Sequence, residues 1–156
     1  MLAYVFWHWP RAGVPADGYE DLQRKFHLAL RQAPPPGFMG SRCVSLEGAG
    51  WAGSGGRTYE DWYLLDGSAA LDPLNAAAVT ASRQAPHDAA AAAADGGTAG
   101  LYSLRLGVQR DAPWTATWFA KPSGMSYGAL FTLMGDVIEA EDAALWCRQM
   151  TLGPTP

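Results

Sequence analysis

Cysteine is scarce in this chain, with 2 in 156 residues, and Cys43 and Cys147 stand too far apart to match any metal-ligand spacing. A disulfide would require their strands to meet at bridging distance, so two buried free thiols are expected. Long apolar runs are absent too: no stretch reaches the roughly 18 residues a membrane-spanning helix needs. No basic segment precedes the first apolar run, which contains His8 and ends at Pro10, so no secretory signal is expected. The 11 basic residues are scattered against 15 acidic ones, giving a net charge of −4. Without a clustered positive field, nucleic acid is not an expected partner. These absences predict a cytoplasmic protein that engages neither membrane nor nucleic acid.

Chemical signatures are equally sparse. No Ser-centred elbow, Cys–His signature or phosphate loop occurs, which disfavours nucleophilic hydrolysis and phosphoryl transfer. Gly48-Ala49-Gly50-Trp51-Ala52-Gly53 spells a dinucleotide-type glycine string, but more glycines and a strand follow where a helix N-terminus would have to receive the pyrophosphate. It reads as a flexible hairpin loop. No histidine pair has metal-binding spacing, so neither a metal nor any other cofactor is expected.

Large side chains are abundant: 7 Trp, 6 Tyr and 5 Phe. A chain of this length buries roughly 70% of its unfolded surface and sustains one core, so the aromatics fill that core, line a pocket or form an interface. Tyr4 to Trp9 reads as a strand with bulky groups on both faces, Tyr4, Phe6 and His8 on one and Val5, Trp7 and Trp9 on the other. Asp17 and Glu20 suggest a capping box for a helix over Gly18–Gln32, whose buried stripe holds Tyr19, Leu22, Phe26, Ala29 and Leu30. Pro34-Pro35-Pro36-Gly37 ends it. Strands are predicted at Arg42–Glu47 and Tyr59–Leu65, a helix at Leu71–Arg83 with Asp72-Pro73 at its start, and a short alanine-rich continuation over His87–Ala94 ending at Gly96-Gly97. A fourth strand is predicted at Leu101–Leu106.

Residues 1–107 therefore read β-α-β-β-α-β, the ferredoxin-like order. Residues 114–156 follow with a partial β-α-β repeat: a strand at Thr115–Lys121 closed by Pro122, a helix from Ser126-Tyr127, and a strand at Leu145–Leu152. On this element order and the aromatic first strand, the chain resembles the dimeric α+β barrel superfamily, which includes small monooxygenases, dehydratases and chlorite-dismutase-like proteins. The resemblance implies an α+β single domain, 1–156, whose antiparallel sheets form a barrel with pockets inside it or between sheet and helices.

Among individual residues, His8 lies amid aromatics on the first strand. Asp61, between Tyr59 and Tyr63 on the third, would be its neighbour in the ferredoxin-like order. A His8–Asp61 pair would make His8 a better general base; a hydrogen-bonded core histidine is the plainer reading. His27 lies at the edge of its helix's apolar stripe, fit for a pocket but equally for a half-exposed surface. His87 suits a helix start, and Lys121 a solvated strand end with its stem on aromatic surface. The candidate catalytic set is His8, Asp61 and Tyr63, and the candidate binding set Phe6, His27 and Tyr127.

Two functions of different class fit. One is a small-molecule enzyme performing proton transfer or cofactor-independent oxidation on an apolar or aromatic compound. The other is a non-catalytic ligand-binding or assembly module in which the aromatics only pack. A homodimer through the sheet face left bare by the helices is expected in either case, because strands one and four carry apolar groups on both faces.

Overall fold

The computed structural model describes residues 1–46, 57–109 and 116–152. Its elements run β1 (Leu2–Pro10), α1 (Ala16–Gln32), β2 (Phe38–Leu46), β3 (Thr58–Leu65), α2 (Leu71–Ala78), α3 (Gln84–Ala93), β4 (Ala94–Gly107), α4 (Tyr127–Ala140) and β5 (Ala144–Leu152). The five strands form one antiparallel sheet in the order β2-β3-β1-β4-β5. The fold is α+β, as the sequence predicts, but the sheet is open and does not close into a barrel. The missing second sheet has a local cause. The strand expected over Thr115–Lys121 is irregular at residues 116–121, so among the described residues β5 is the only strand after β4, and it pairs at the sheet edge.

Strand register places the chemistry. On β3, Tyr59, Asp61 and Tyr63 stand opposite His8, Phe6 and Tyr4 of β1, and opposite Ser45, Cys43 and Ser41 of β2. Paired residues share a face, so these nine side chains lie together. Helix α1 packs on β2 and on α3. Its stripe of Tyr19, Gln23, Phe26, His27 and Leu30 is buried, and Phe26 and Leu30 join Tyr63, Leu65, Ala70 and Leu74 in the core. Every residue of β3 is buried. Ala3, Val5, Trp7, Glu60, Trp62 and Leu64, whose positions alternate with these, are buried as well. The face expected to be bare is therefore covered at β1 and β3 within the single chain.

Several boundaries differ from expectation for identifiable reasons. Helix α1 begins at Ala16 after Pro15 with no side-chain cap, so Asp17 lies in the first turn instead of capping it. The helix expected over Leu71–Arg83 stops at Ala78 and restarts as α3 at Gln84. A continuous helix would press the Pro86 ring against the carbonyl four residues earlier; in the first turn of α3 it is tolerated. Arg83 secures the break, donating from Nε to Ala77 O (2.7 Å) and from Nη1 to Ala33 O (2.6 Å). Gly96 and Gly97 belong to β4 and stop no helix. A Cβ on Gly97 would sit 2.3 Å from the Phe6 ring, so only glycine leaves room at this position for that aromatic of β1.

The chain divides into two compact units, Met1–Tyr102 with Arg148–Pro156, and Ser103–Cys147. Within the second, Ser126 caps α4 by accepting from Ala129 N at 3.0 Å, and Lys121 Nζ lies 5.5 Å from the Tyr127 ring centre. No described helix is long and apolar enough to cross a membrane. The glycine-rich hairpin at Gly48–Gly56 lies outside the described residues.

Candidate functional site

Asp61 is the centre of the first unit's chemistry. Its side chain is almost fully enclosed between α1 and the sheet (2% exposed), where an isolated carboxylate would be costly. It is compensated by three neighbours. His27 Nε2 lies 3.1 Å and His8 Nε2 3.3 Å from Oδ1, and the Tyr63 hydroxyl donates to Oδ2 at 2.7 Å. Burial alone would raise the Asp61 pKa, but the two imidazoles outweigh it and hold the carboxyl far below the usual carboxylate range. Asp61 is an anion that other groups organise around.

Each imidazole is held at its far nitrogen by a hydroxyl. His27 Nδ1 lies 2.7 Å from Ser41 Oγ, and His8 Nδ1 lies 2.5 Å from the Tyr19 hydroxyl. Because ionised Asp61 only accepts, His27 donates from Nε2, and in the neutral imidazole Nδ1 is then the acceptor for the Ser41 hydroxyl. The result is a Ser41–His27–Asp61 chain in which the carboxylate fixes tautomer and orientation. Aromatic rings clamp the histidines: Phe6 and Tyr59 stack on His8 at 5.2 and 5.8 Å, and Tyr63 on His27 at 5.4 Å.

A cleft of about 420 Å³ opens between α1 and β2, within the size range of small-molecule sites. It reaches His27, Ser41 and Cys43 and does not include His8. Its lining includes Arg24 and Arg31 of α1 together with Glu20, which accepts from Tyr59 (3.0 Å) and Arg57 (3.1 Å). The lining is polar, unlike the apolar pocket expected from the aromatic content. Cys43 faces Asp61 across the strand pair, and burial, reinforced by the Asp61 charge, pushes its thiol well above the usual range. Both cysteines are free and only partly buried.

Of the sequence candidates, His8, Asp61, Tyr63, Phe6 and His27 meet in this cluster. His27 is 5% exposed, more enclosed than its helix-edge position suggested, and it replaces His8 as the histidine at the cleft. Tyr127 belongs to the second unit, where it is 52% exposed and contacts Lys121 and Phe131. His87 sits in the first turns of α3 beside Asp88 (3.1 Å), edge-on to Phe26.

Ser41, Cys43 and Tyr19 escaped sequence reasoning. A signal for the first two existed: Ser41, Cys43 and Ser45 alternate along β2 and put small polar groups on the face where a helix-covered strand should be apolar. Tyr19 was legible only as part of the helix core.

A second buried carboxylate lies on the opposite face of β3. Glu60 is fully buried, accepting from Trp7 Nε1 at 2.6 Å and from Trp62 Nε1. Burial raises its pKa, while the indole donors pull it back.

No protein-family model matches the chain, and no curated protein matches it.

Proposed function

We propose that this protein is a small-molecule enzyme whose chemistry is proton transfer, with His27 as the accepting group. The carrying observation is the Ser41–His27–Asp61 chain ending in a cleft of ligand size. Asp61 holds the Nε2 proton, so Nδ1 offers its lone pair toward the cleft, through Ser41 or directly once a substrate displaces that hydroxyl. Tyr63 fixes the second carboxylate oxygen and keeps Asp61 from rotating. The polar lining with Arg24 and Arg31 favours a small organic acid with an acidic C–H bond over the apolar compound first expected. Proton removal also precedes oxidation of a carbanion by dioxygen, so it is common to both reactions expected from the sequence.

Acyl transfer by Ser41 is a weaker reading of the same chain. It needs amide donors aimed at an oxyanion, which turns and helix starts provide. Ser41 lies mid-strand, paired with Tyr63.

The strand order β2-β3-β1-β4 supports a ferredoxin-like origin for the first unit. A homodimer belongs to this reading too; Leu133 and Val137, which α4 leaves 62% and 51% exposed, offer it a surface other than the sheet face first expected, and light scattering at micromolar concentration tests it.

Proton transfer is tested by incubating the protein in D2O with a panel of 2-oxo and 1,3-dicarbonyl acids and following α-proton loss by NMR. At least one compound should exchange faster with wild-type protein, and His27→Gln should slow that by about 100-fold or more. No exchange across the panel, or equal rates in His27→Gln, would remove this function.

A further inference from the structure

The two histidines around Asp61 are held differently. His27 has a hydrogen bond at each ring nitrogen. His8 has one at Nδ1 only; its Nε2 is buried without a hydrogen-bond partner, facing Asp61 Oδ1 at 3.3 Å but out of hydrogen-bond alignment. In a residue only 1% exposed, that nitrogen meets the carboxylate as an ion-pair partner without a hydrogen bond, and a cation placed between the two would use its lone pair. Cys43 Sγ borders the same point, and the ligand atoms of His8, Cys43 and Asp61 all lie within 4.8 Å of one another.

We propose that His8 Nε2, Asp61 Oδ1 and Cys43 Sγ bind a divalent transition-metal ion of the zinc type. Nitrogen and oxygen ligands about 2 Å from a tetrahedral ion lie about 3.3 Å apart, and the His8–Asp61 separation is 3.3 Å. A mixed imidazole, carboxylate and thiolate set suits zinc and excludes magnesium or calcium, which take oxygen.

The outer shell is in place. With Nε2 on the metal, His8 Nδ1 carries the proton and donates to the Tyr19 oxygen, and Asp61 keeps its Tyr63 bond on Oδ2. Oδ1 has a lone pair for the metal and another for His27. A dication bound here would take Cys43 as thiolate, its proton passing to solvent. Three protein ligands leave a fourth position for water or substrate, the pattern of catalytic rather than structural zinc. Cys43 lines the cleft, which provides the route of entry.

Cobalt(II) is the probe. The full chain, stripped with chelator and titrated with Co2+, should take up one equivalent and develop a thiolate-to-cobalt charge-transfer band in the near ultraviolet. Cys43→Ser should lose the band, Cys147→Ser should keep it, and His8→Ala should weaken binding by more than the roughly 10–100-fold typical of a lost outer-shell partner. Circular dichroism checks that each variant is folded; Cys43, at an edge strand and only partly buried, gives the safer variant should His8→Ala not fold. Absence of cobalt uptake by the wild type, or a band surviving in Cys43→Ser, would overturn the site. The metal and the proton-transfer reading fail separately. Exchange that persists in chelated protein unable to bind cobalt removes the metal alone, whereas cobalt uptake without exchange removes only the proton transfer.

Discussion

Glu60 and Asp61 are neighbours in sequence, both buried, and they face opposite sides of the same strand. Their surroundings set them apart. Glu60 accepts from two indole N–H groups, Trp7 and Trp62, which are fixed donors that neither gain nor lose a proton. Asp61 faces two imidazoles and a phenol, and one of those imidazoles borders a cleft. The shifts follow: burial dominates at Glu60 and raises its pKa, whereas at Asp61 the histidines overcome burial and lower it. A buried carboxylate is thus no sign of function by itself. What distinguishes the two is a set of proton-carrying partners and a way in for a substrate.

Substitutions can break this contrast. Asp61→Ala should have the largest effect. It strands two buried histidines and a tyrosine, lowering stability by about 3–5 kcal/mol in urea unfolding, and it should abolish proton exchange in D2O. Glu60→Gln should cost less, about 2–3 kcal/mol, because an amide N–H replaces one acceptor in front of an indole donor. Exchange by the folded fraction should stay at the wild-type rate; a loss comparable to that of His27→Gln would mean the two faces are not separate. Trp7→Phe leaves Glu60 Oε2 without its donor and should cost about 1.5 kcal/mol, again without effect on exchange. Tyr127→Ala should be the mildest. Among the described residues its exposed ring makes a cation–π and an aromatic contact, so stability should change by less than about 0.5 kcal/mol and exchange not at all.

How far the sequence foretold this arrangement varies with the range of the interaction. The Asp61–Tyr63 pair and the shared face of Phe6 and His8 need only strand alternation, and the approach of His8 to Asp61 needs only that β1 and β3 be neighbours. These were legible. The depth of His27 was not, because a helix edge is exposed or buried according to what lies beneath it. Ser41 and Cys43 are short, which leaves room under α1 for an imidazole, and that depends on the β2–β3 register. Tyr127 was expected at a site on the partial repeat, whose strand over Thr115–Lys121 Pro122 was expected to close. Without a strand at residues 116–121, that punctuation carries no second half-barrel with it. The open sheet follows from the same failure of local signals to specify pairing between distant strands.

The orientation of His27 is the point on which the functional reading turns, and nitrogen-15 NMR of histidine-labelled, metal-free protein reads it directly. His27 should appear as the Nε2–H tautomer with an unprotonated Nδ1 hydrogen-bonded by Ser41, and Asp61→Asn should disturb that assignment while Glu60→Gln leaves it intact. A His27 carrying its proton on Nδ1, with Nε2 bare toward Asp61, would contradict the proposed base.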